Sequence, residues 1–351
     1  MQGLITYNLS KNMKSNRVGK YVHIRKLCNK NNHLEMLAID QRPPIFNIIK
    51  KTKKKYSFDD VVDFKKNISK NLSHHASAIL MDPVYSIPNL INTSKCNGLI
   101  ITLEDHAFKE KGRGRYSKNI QNWSVEKIKK IGGDAVKVLA WYRPDADIKS
   151  IQYQKKYIEN IGKQCEKYEI PFLLELLVYP FKNEIGYSKD YKEQHNKNKN
   201  HVIDSVKEFS KAKYKVDIFK LESPVDSGKL ENGKFTKTTQ EAFKKLSLAT
   251  KNIPWVMLSS GMSKNSFYNC LKLAYKNGAS GYLAGRTIWL DAFKDYPNYK
   301  KISHNLKTES ANYVNKLNTL TKKNARSLEK YLTNKLFQKK SINFKNTYKG
   351  F

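Results

Sequence analysis

The chain predicts an α/β fold, a closed (β/α)8 TIM barrel forming a single domain. Three observations predict it: eight short strand-like apolar runs, helical patterns between most of them, and a length of 351 residues that suits one such domain. The runs are 35–40, 77–82, 98–102, 134–140, 171–177, 216–222, 254–259 and 280–286. After the first, Phe58, Val61, Val62, Ile68 and Leu72 follow a helical period, with Ser57 as N-cap and Asp59 and Asp60 in the first turn. Residues 152–168, 201–212 and 239–251 read as helices. Another runs from Ser263 to Asn277 and stops at Gly278. An open doubly wound sheet is the alternative, but no Gly-rich dinucleotide fingerprint follows the first strand. Tyr313, Val314, Leu317 and Leu320 give 305–332 the pattern of an additional amphipathic helix. The barrel is thus expected over 34–300, with a basic N-terminal extension (1–33) before it and a C-terminal helix and basic tail (301–351) after it.

Composition excludes several classes. No stretch approaches the roughly 18 apolar residues of a membrane span. Cys28, Cys96, Cys165 and Cys270 are scattered with no CxxC spacing, which argues against a disulfide framework or a structural zinc and fits a reducing cytoplasm. The formal net charge of +35 points first toward nucleic acid, but lysine is spread along the whole chain. Nucleic-acid readers cluster Arg and Lys on one face with aromatic residues for stacking. Neither a nucleic-acid nor a membrane partner is expected, and a positive field suits an anionic, phosphorylated substrate.

The chemistry lies on three consecutive strands. Lys137, Glu175 and Lys220 each stand alone in an apolar run, where a charge is costly unless it is paired or its pKa moves. Adjacent strands lie about 4.8 Å apart, so three neighbours can converge on one substrate atom. Asp40, at the end of strand one, closes the ring. A buried lysine beside a second lysine is expected to have a depressed pKa and to act as an amine nucleophile on a carbonyl. Glu175 suits proton transfer. Taken singly, each lysine reads as a structural ion pair; the set of three reads as a site. Strands seven and eight end in Ser259-Ser260-Gly261 and Gly285-Arg286, the small and basic residues of a phosphate cradle. Two long loops, 104–123 and 179–200, follow strands three and five and are lid candidates on the C-terminal face.

These residues resemble class I aldolases of the tagatose 1,6-bisphosphate aldolase family, with its relative sulfofructosephosphate aldolase. The carriers are Leu37-Ala38-Ile39-Asp40-Gln41-Arg42, the 76–82 strand, Asp134-Ala135-Val136-Lys137, Leu174-Glu175 and Val216 through Glu222. Leu258-Ser259-Ser260-Gly261 and Gly278 through Arg286 follow in family order. The resemblance implies that Lys220 is the Schiff-base lysine, Glu175 the proton-transfer carboxylate, and Lys137, Asp40 and Gln41 the rest of the polar centre. It further implies that Ser259, Ser260, Gly261, Gly285 and Arg286 hold the phosphate of a dihydroxyacetone phosphate half. Arg42 would meet the anion at a substrate end. No cofactor and no metal are implied; aldolases on this fold are commonly oligomeric, which makes the extra C-terminal helix a candidate contact surface for a homo-oligomer. The chain departs from the family at Leu176, at Pro43-Pro44 and in Tyr179-Pro180-Phe181-Lys182-Asn183, all bordering the distal half of the pocket. A lysine-dependent aldolase acting on a deoxysugar phosphate, a basic nucleic-acid-binding barrel and a catalytically inert barrel are the rival readings.

Overall fold

The computed structural model describes residues 18–87, 98–188, 197–332 and Tyr348. Eight parallel strands close into one barrel in sequence order. They are β1 (Leu34–Ala38), β2 (Ala78–Met81), β3 (Gly98–Thr102), β4 (Ala135–Trp141), β5 (Phe172–Leu177), β6 (Ile218–Leu221), β7 (Trp255–Met257) and β8 (Gly281–Ala284). β8 pairs with β1, Leu37 opposite Ala284, which leaves no sheet edge to protect. All eight runs expected from the sequence are strands of the barrel.

Alternation along the strands sorts side chains into two cores. Val136, Val138, Leu174, Phe219 and Met257 point outward, into the layer shared with the helices. Leu34, Met36, Leu80, Ala135, Leu173 and Ile218 point inward and fill the lower barrel. Leu139, Trp141, Leu177 and Leu258 form a third apolar cluster with Tyr179 and Phe181. By the same alternation Lys137, Glu175 and Lys220 face inward, between the lower apolar filling and this third cluster.

The helix Phe58–Leu72 begins with a reciprocal cap: Asp60 N donates to Ser57 Oγ at 3.1 Å and Ser57 N donates to the Asp60 carboxylate at 2.9 Å. Ser263 caps Lys264–Lys276 through Ser266 N at 3.0 Å. The helix expected from residue 152 starts earlier, at Ile148, because Asp147 Oδ1 accepts Ser150 N at 2.9 Å and sets the first turn. The loop 104–123 contains a small antiparallel hairpin, Lys109–Lys111 with Gly114–Tyr116. The sequence had shown it only as a long connection.

The expected C-terminal helix is placed differently. It starts at Tyr299, passes through a π-turn at Leu306–Ser310 and continues over Ala311–Asn324. It breaks at Ala325, which is extended (φ −73, ψ 151). Arg326 N then donates to Ala279 O and Leu328 N to Asn32 O, both at 2.9 Å, so these amides bond to the barrel's lower rim instead of continuing the helix. Leu328 and Leu332 end in the same cluster as the lower barrel filling.

The described part of the N-terminal segment closes that lower end. Tyr21, Ile24 and Leu27 of the helix Val18–Leu27 pack against Leu34, Ala78 and Ile100. Lys20, buried, pairs with buried Asp217 at 2.6 Å, and Asp217 also accepts Phe172 N at 2.8 Å. The basic tail from residue 335 onward lies outside the described residues except for Tyr348, whose hydroxyl donates to Glu169 at 2.9 Å. Of the cysteines, Cys28, Cys165 and Cys270 are free and buried, and Cys96 lies outside the described residues. No helix among the described residues is long and apolar enough to cross a membrane.

Candidate active site

Strand register brings the three ionisable residues together. Glu175 on β5 sits opposite Lys220 on β6, and Lys137 on β4 sits opposite Thr102 on β3. Lys220 Nζ lies 3.0 Å from Glu175 Oε2, and Lys137 Nζ lies 2.8 Å from the same oxygen. One carboxylate oxygen therefore bridges two ammonium positions inside the barrel. Lys137 Nζ also donates to Asp40 Oδ2 at 2.9 Å. Lys137, Glu175 and Lys220 are all buried.

A fifth ionisable group, not singled out from the sequence, completes this layer. Glu104 Oε1 accepts Lys137 Nζ at 2.6 Å, and its other oxygen accepts Thr102 Oγ1 at 2.6 Å. Glu104 stands two residues past Thr102, so it inherits the inward phase of β3. That period-two offset was the signal in the sequence, hidden because the residue was assigned to the loop.

The electrostatics follow from these contacts. Burial alone would lower the pKa of Lys137, but Asp40, Glu104 and Glu175 outweigh it and hold the ammonium well above its ordinary range. Lys137 is thus a fixed cation held by three carboxylates. For Glu175, burial favours the neutral acid, yet Lys137 and Lys220 win and lower its pKa below the usual glutamate value. Asp40 behaves alike: burial raises it, and Lys137, Lys220 and Arg42 bring it below the ordinary aspartate range. Both acids are carboxylates at neutral pH, ready to accept protons.

A cavity, partly open to solvent, rises above this layer. Asp40, Gln41, Glu104, Lys137, Glu175 and Lys220 line its polar floor, and Leu139 and Trp141 one apolar wall. Arg42, Pro43, Pro44 and His106 line another part. Pro43 and Pro44 open the helix Pro43–Lys50, where missing amide hydrogens cost nothing. Arg42 is buried just before it. The guanidinium reaches Glu104 O only at 3.4 and 3.5 Å, and its Nε has no hydrogen-bond partner. Gln41 Oε1 is also buried without a partner. Two unsatisfied polar groups beside an open cavity leave hydrogen-bonding capacity for a ligand.

The expected cradle stands at the ends of β7 and β8, outside that lining. Ser259 and Ser260 are buried, and Ser260 (φ 48) and Gly261 (φ 84) turn the chain sharply after β7. A Cβ added at Gly261 would lie 3.5 Å from the Arg286 guanidinium carbon. Gly285 connects the two regions. A side chain there would meet Ala38 O at 2.4 Å and Gln41 Nε2 at 2.8 Å, so only glycine lets the end of β8 close on the end of β1.

Residues 34–291 match the family model described as the DeoC/LacD family aldolase. The chain belongs to the DeoC/LacD aldolase family. It is 34% identical over 279 residues to tagatose 1,6-diphosphate aldolase 1 of Enterococcus faecalis (strain ATCC 700802 / V583), covering 78% of this chain and 84% of the relative. It is 31% identical over 320 residues to tagatose 1,6-diphosphate aldolase 1 of Streptococcus mutans serotype c, covering 88% of this chain and 97% of the relative. Among solved structures, the fructose-bisphosphate aldolase of Plasmodium falciparum has a similar fold (TM-score 0.63, 11% identity), covering 88% of this chain and 95% of that one. A Schiff base-forming fructose-1,6-bisphosphate aldolase does too (TM-score 0.54, 13% identity), covering 86% of this chain and 99% of that one. The protein is an aldolase, and so a lyase.

Proposed function

We propose that this aldolase works through a Schiff base on Lys220 and cleaves a phosphorylated ketose, a ketohexose 1,6-bisphosphate of the tagatose type, to dihydroxyacetone phosphate and an aldehyde. The observation that carries the reading is the single Glu175 oxygen within 3.0 Å of Lys220 Nζ and 2.8 Å of Lys137 Nζ. The names of the relatives at 31 and 34% identity favour the tagatose-type substrate over a sulfonated one.

Lys220 attacks the C2 ketone as the neutral amine, with the Glu175 carboxylate in reach to take its proton. Glu175 returns that proton to the carbinolamine hydroxyl, which leaves as water to give an iminium and the free Glu175 carboxylate. Glu175 then removes the C4 hydroxyl proton, the C3–C4 bond breaks, and its electron pair flows into the iminium to give an enamine and the free aldehyde. Protonation at C3 and hydrolysis release dihydroxyacetone phosphate and the amine. Lys137 stays charged throughout and stabilises oxyanion character near C3 and C4. Ser259, Ser260, Gly261, Gly285 and Arg286 take the phosphate of the dihydroxyacetone half. Arg42, with Gln41 beside it, takes the distal anion, its unpartnered Nε being the supporting detail.

Borohydride added with dihydroxyacetone phosphate should reduce the iminium to a stable adduct, found as a mass shift on the peptide carrying Lys220. Lys220→Met should abolish both adduct and cleavage. An adduct on another lysine, or none, would remove this mechanism. A panel of ketose and deoxysugar phosphates ranked by kcat/KM decides the substrate.

A further inference from the structure

Arg115, in the hairpin of the β3–β4 loop, is among the largest fully buried side chains of the described residues. Its guanidinium carbon lies 4.1 Å from the ring centroid of Phe108, 4.6 Å from that of Tyr179, 4.8 Å from that of Trp141 and 5.9 Å from that of Tyr187. Nη2 donates to Ser188 O at 2.6 Å, the backbone amide donates to the Tyr179 hydroxyl at 3.0 Å, and Glu110 stands 3.5 Å from Nε. Tyr187 in turn donates to Glu110 at 2.7 Å. Phe108 and Glu110 come from the β3–β4 loop, Trp141 from the end of β4, and Tyr179, Tyr187 and Ser188 from the loop after β5. Arg115 touches all three segments. A desolvated cation is costly, and nothing in the aldol chemistry uses this one. What it does reach is Trp141, which lines the substrate cavity next to Leu139.

We propose that Arg115 is a positioning residue for substrate recognition. By stacking on Trp141 and tying the β3–β4 loop to the β5–β6 loop, it fixes the indole as the wall against which the aldehyde-forming carbons of a ketose phosphate pack. A flat guanidinium suits this task because it stacks on ring faces while its edge still donates hydrogen bonds; an ammonium cannot do both. The chemical class selected is a sugar chain whose distal C–H face lies on an aromatic surface. A dihydroxyacetone phosphate, which lacks those carbons, does not reach the wall. The inference rests on the Lys220 aldolase reading, and its test separates the two.

Wild-type protein and the variants Arg115→Met, Arg115→Lys, Trp141→Ala and the double Arg115→Met/Trp141→Ala are compared in two assays. One is cleavage of a ketohexose 1,6-bisphosphate, with KM and kcat resolved. The other is borohydride trapping at saturating dihydroxyacetone phosphate. Arg115→Met should raise KM about tenfold, the scale of one desolvated cation–π contact, while kcat falls far less and trapping on Lys220 is unchanged. Arg115→Lys should not rescue it. The double variant should be no worse than Trp141→Ala, since the two act as one unit. Arg115→Gln carries the same test should Arg115→Met not fold: KM must rise and trapping must not change. A lowered Tm with KM unmoved would make Arg115 merely structural. Restoration by lysine, or additive effects in the double variant, would also overturn the proposal. If the wild type itself traps nothing on Lys220, the aldolase mechanism fails and not the role of Arg115.

Discussion

Lys137 is the residue on which the polar centre is organised. Three carboxylates converge on its nitrogen, at 2.6 Å (Glu104), 2.8 Å (Glu175) and 2.9 Å (Asp40). Neutralising one of them redistributes the others. Glu104→Gln should lower kcat by about 10- to 100-fold, the worth of one charge-assisted hydrogen bond, with KM changed less. Steady-state kinetics on the purified variant measures it. The same network fixes the pH response. Asp40 and Glu175 have native pKa values below their ordinary 3.8 and 4.5, so their stabilisation is full above those values and is lost only as pH falls through the lower native ones. Lys137 has the opposite sign: its native pKa lies above 10.5, so its contribution is full below that pH and fades as pH rises through the native value. Urea midpoints should therefore carry no loss from these three groups between about pH 5 and pH 10. A midpoint falling steeply between pH 7 and 5 in wild type, and not in Asp40→Asn, would contradict this assignment.

At the scale of elements, position matters more than residue type. Gly285 is a glycine because β8 and β1 touch there. Gly285→Ala should cost about 1–3 kcal/mol, as overpacking does, and should raise KM by displacing Gln41 and Ala38. Thermal unfolding and KM on one preparation check both halves. The strands were legible in the sequence because each is a short apolar run bounded by turn residues, and because a lysine or glutamate interrupts three of them at the inward phase. Helices with side-chain caps, such as those after Ser57 and Ser263, were equally plain. What stayed hidden depends on tertiary contact. The hairpin at 109–116 is polar and half exposed, held by Arg115 and its aromatic neighbours. The break at Ala325 exists because Ala279 and Asn32 offer carbonyls to the chain. Glu104 was read as loop, since its inward phase shows only once β3 is extended beyond Thr102. Arg115 looked like one basic residue among many until four rings from distant segments were found around it.

At the scale of the whole molecule, the active layer rests on a closed barrel end. The helix Val18–Leu27 seals that end, and the buried Lys20–Asp217 pair anchors it. Lys20→Met leaves Asp217 buried with only the Phe172 amide as partner and should lower stability by about 3–5 kcal/mol. Lys20→Met/Asp217→Asn should recover part of that, because the amide oxygen can still accept from Phe172 without a charge. Urea midpoints of the three proteins measure it, and Schiff-base trapping on Lys220 at low temperature should be the same in all of them.

That seal has a consequence for synthesis. Leu328 and Leu332 occupy it together with Tyr21, Ile24 and Leu27, so the helix Val18–Leu27 and the segment after the break at Ala325 meet beneath the same strands. A nascent chain that has already emerged through β8 still has an incomplete underside, with greasy side chains exposed to whatever the ribosome's neighbourhood offers. Chaperone dependence in the cell should accordingly persist after β8 has emerged and should end once residues 325–332 have left the exit tunnel.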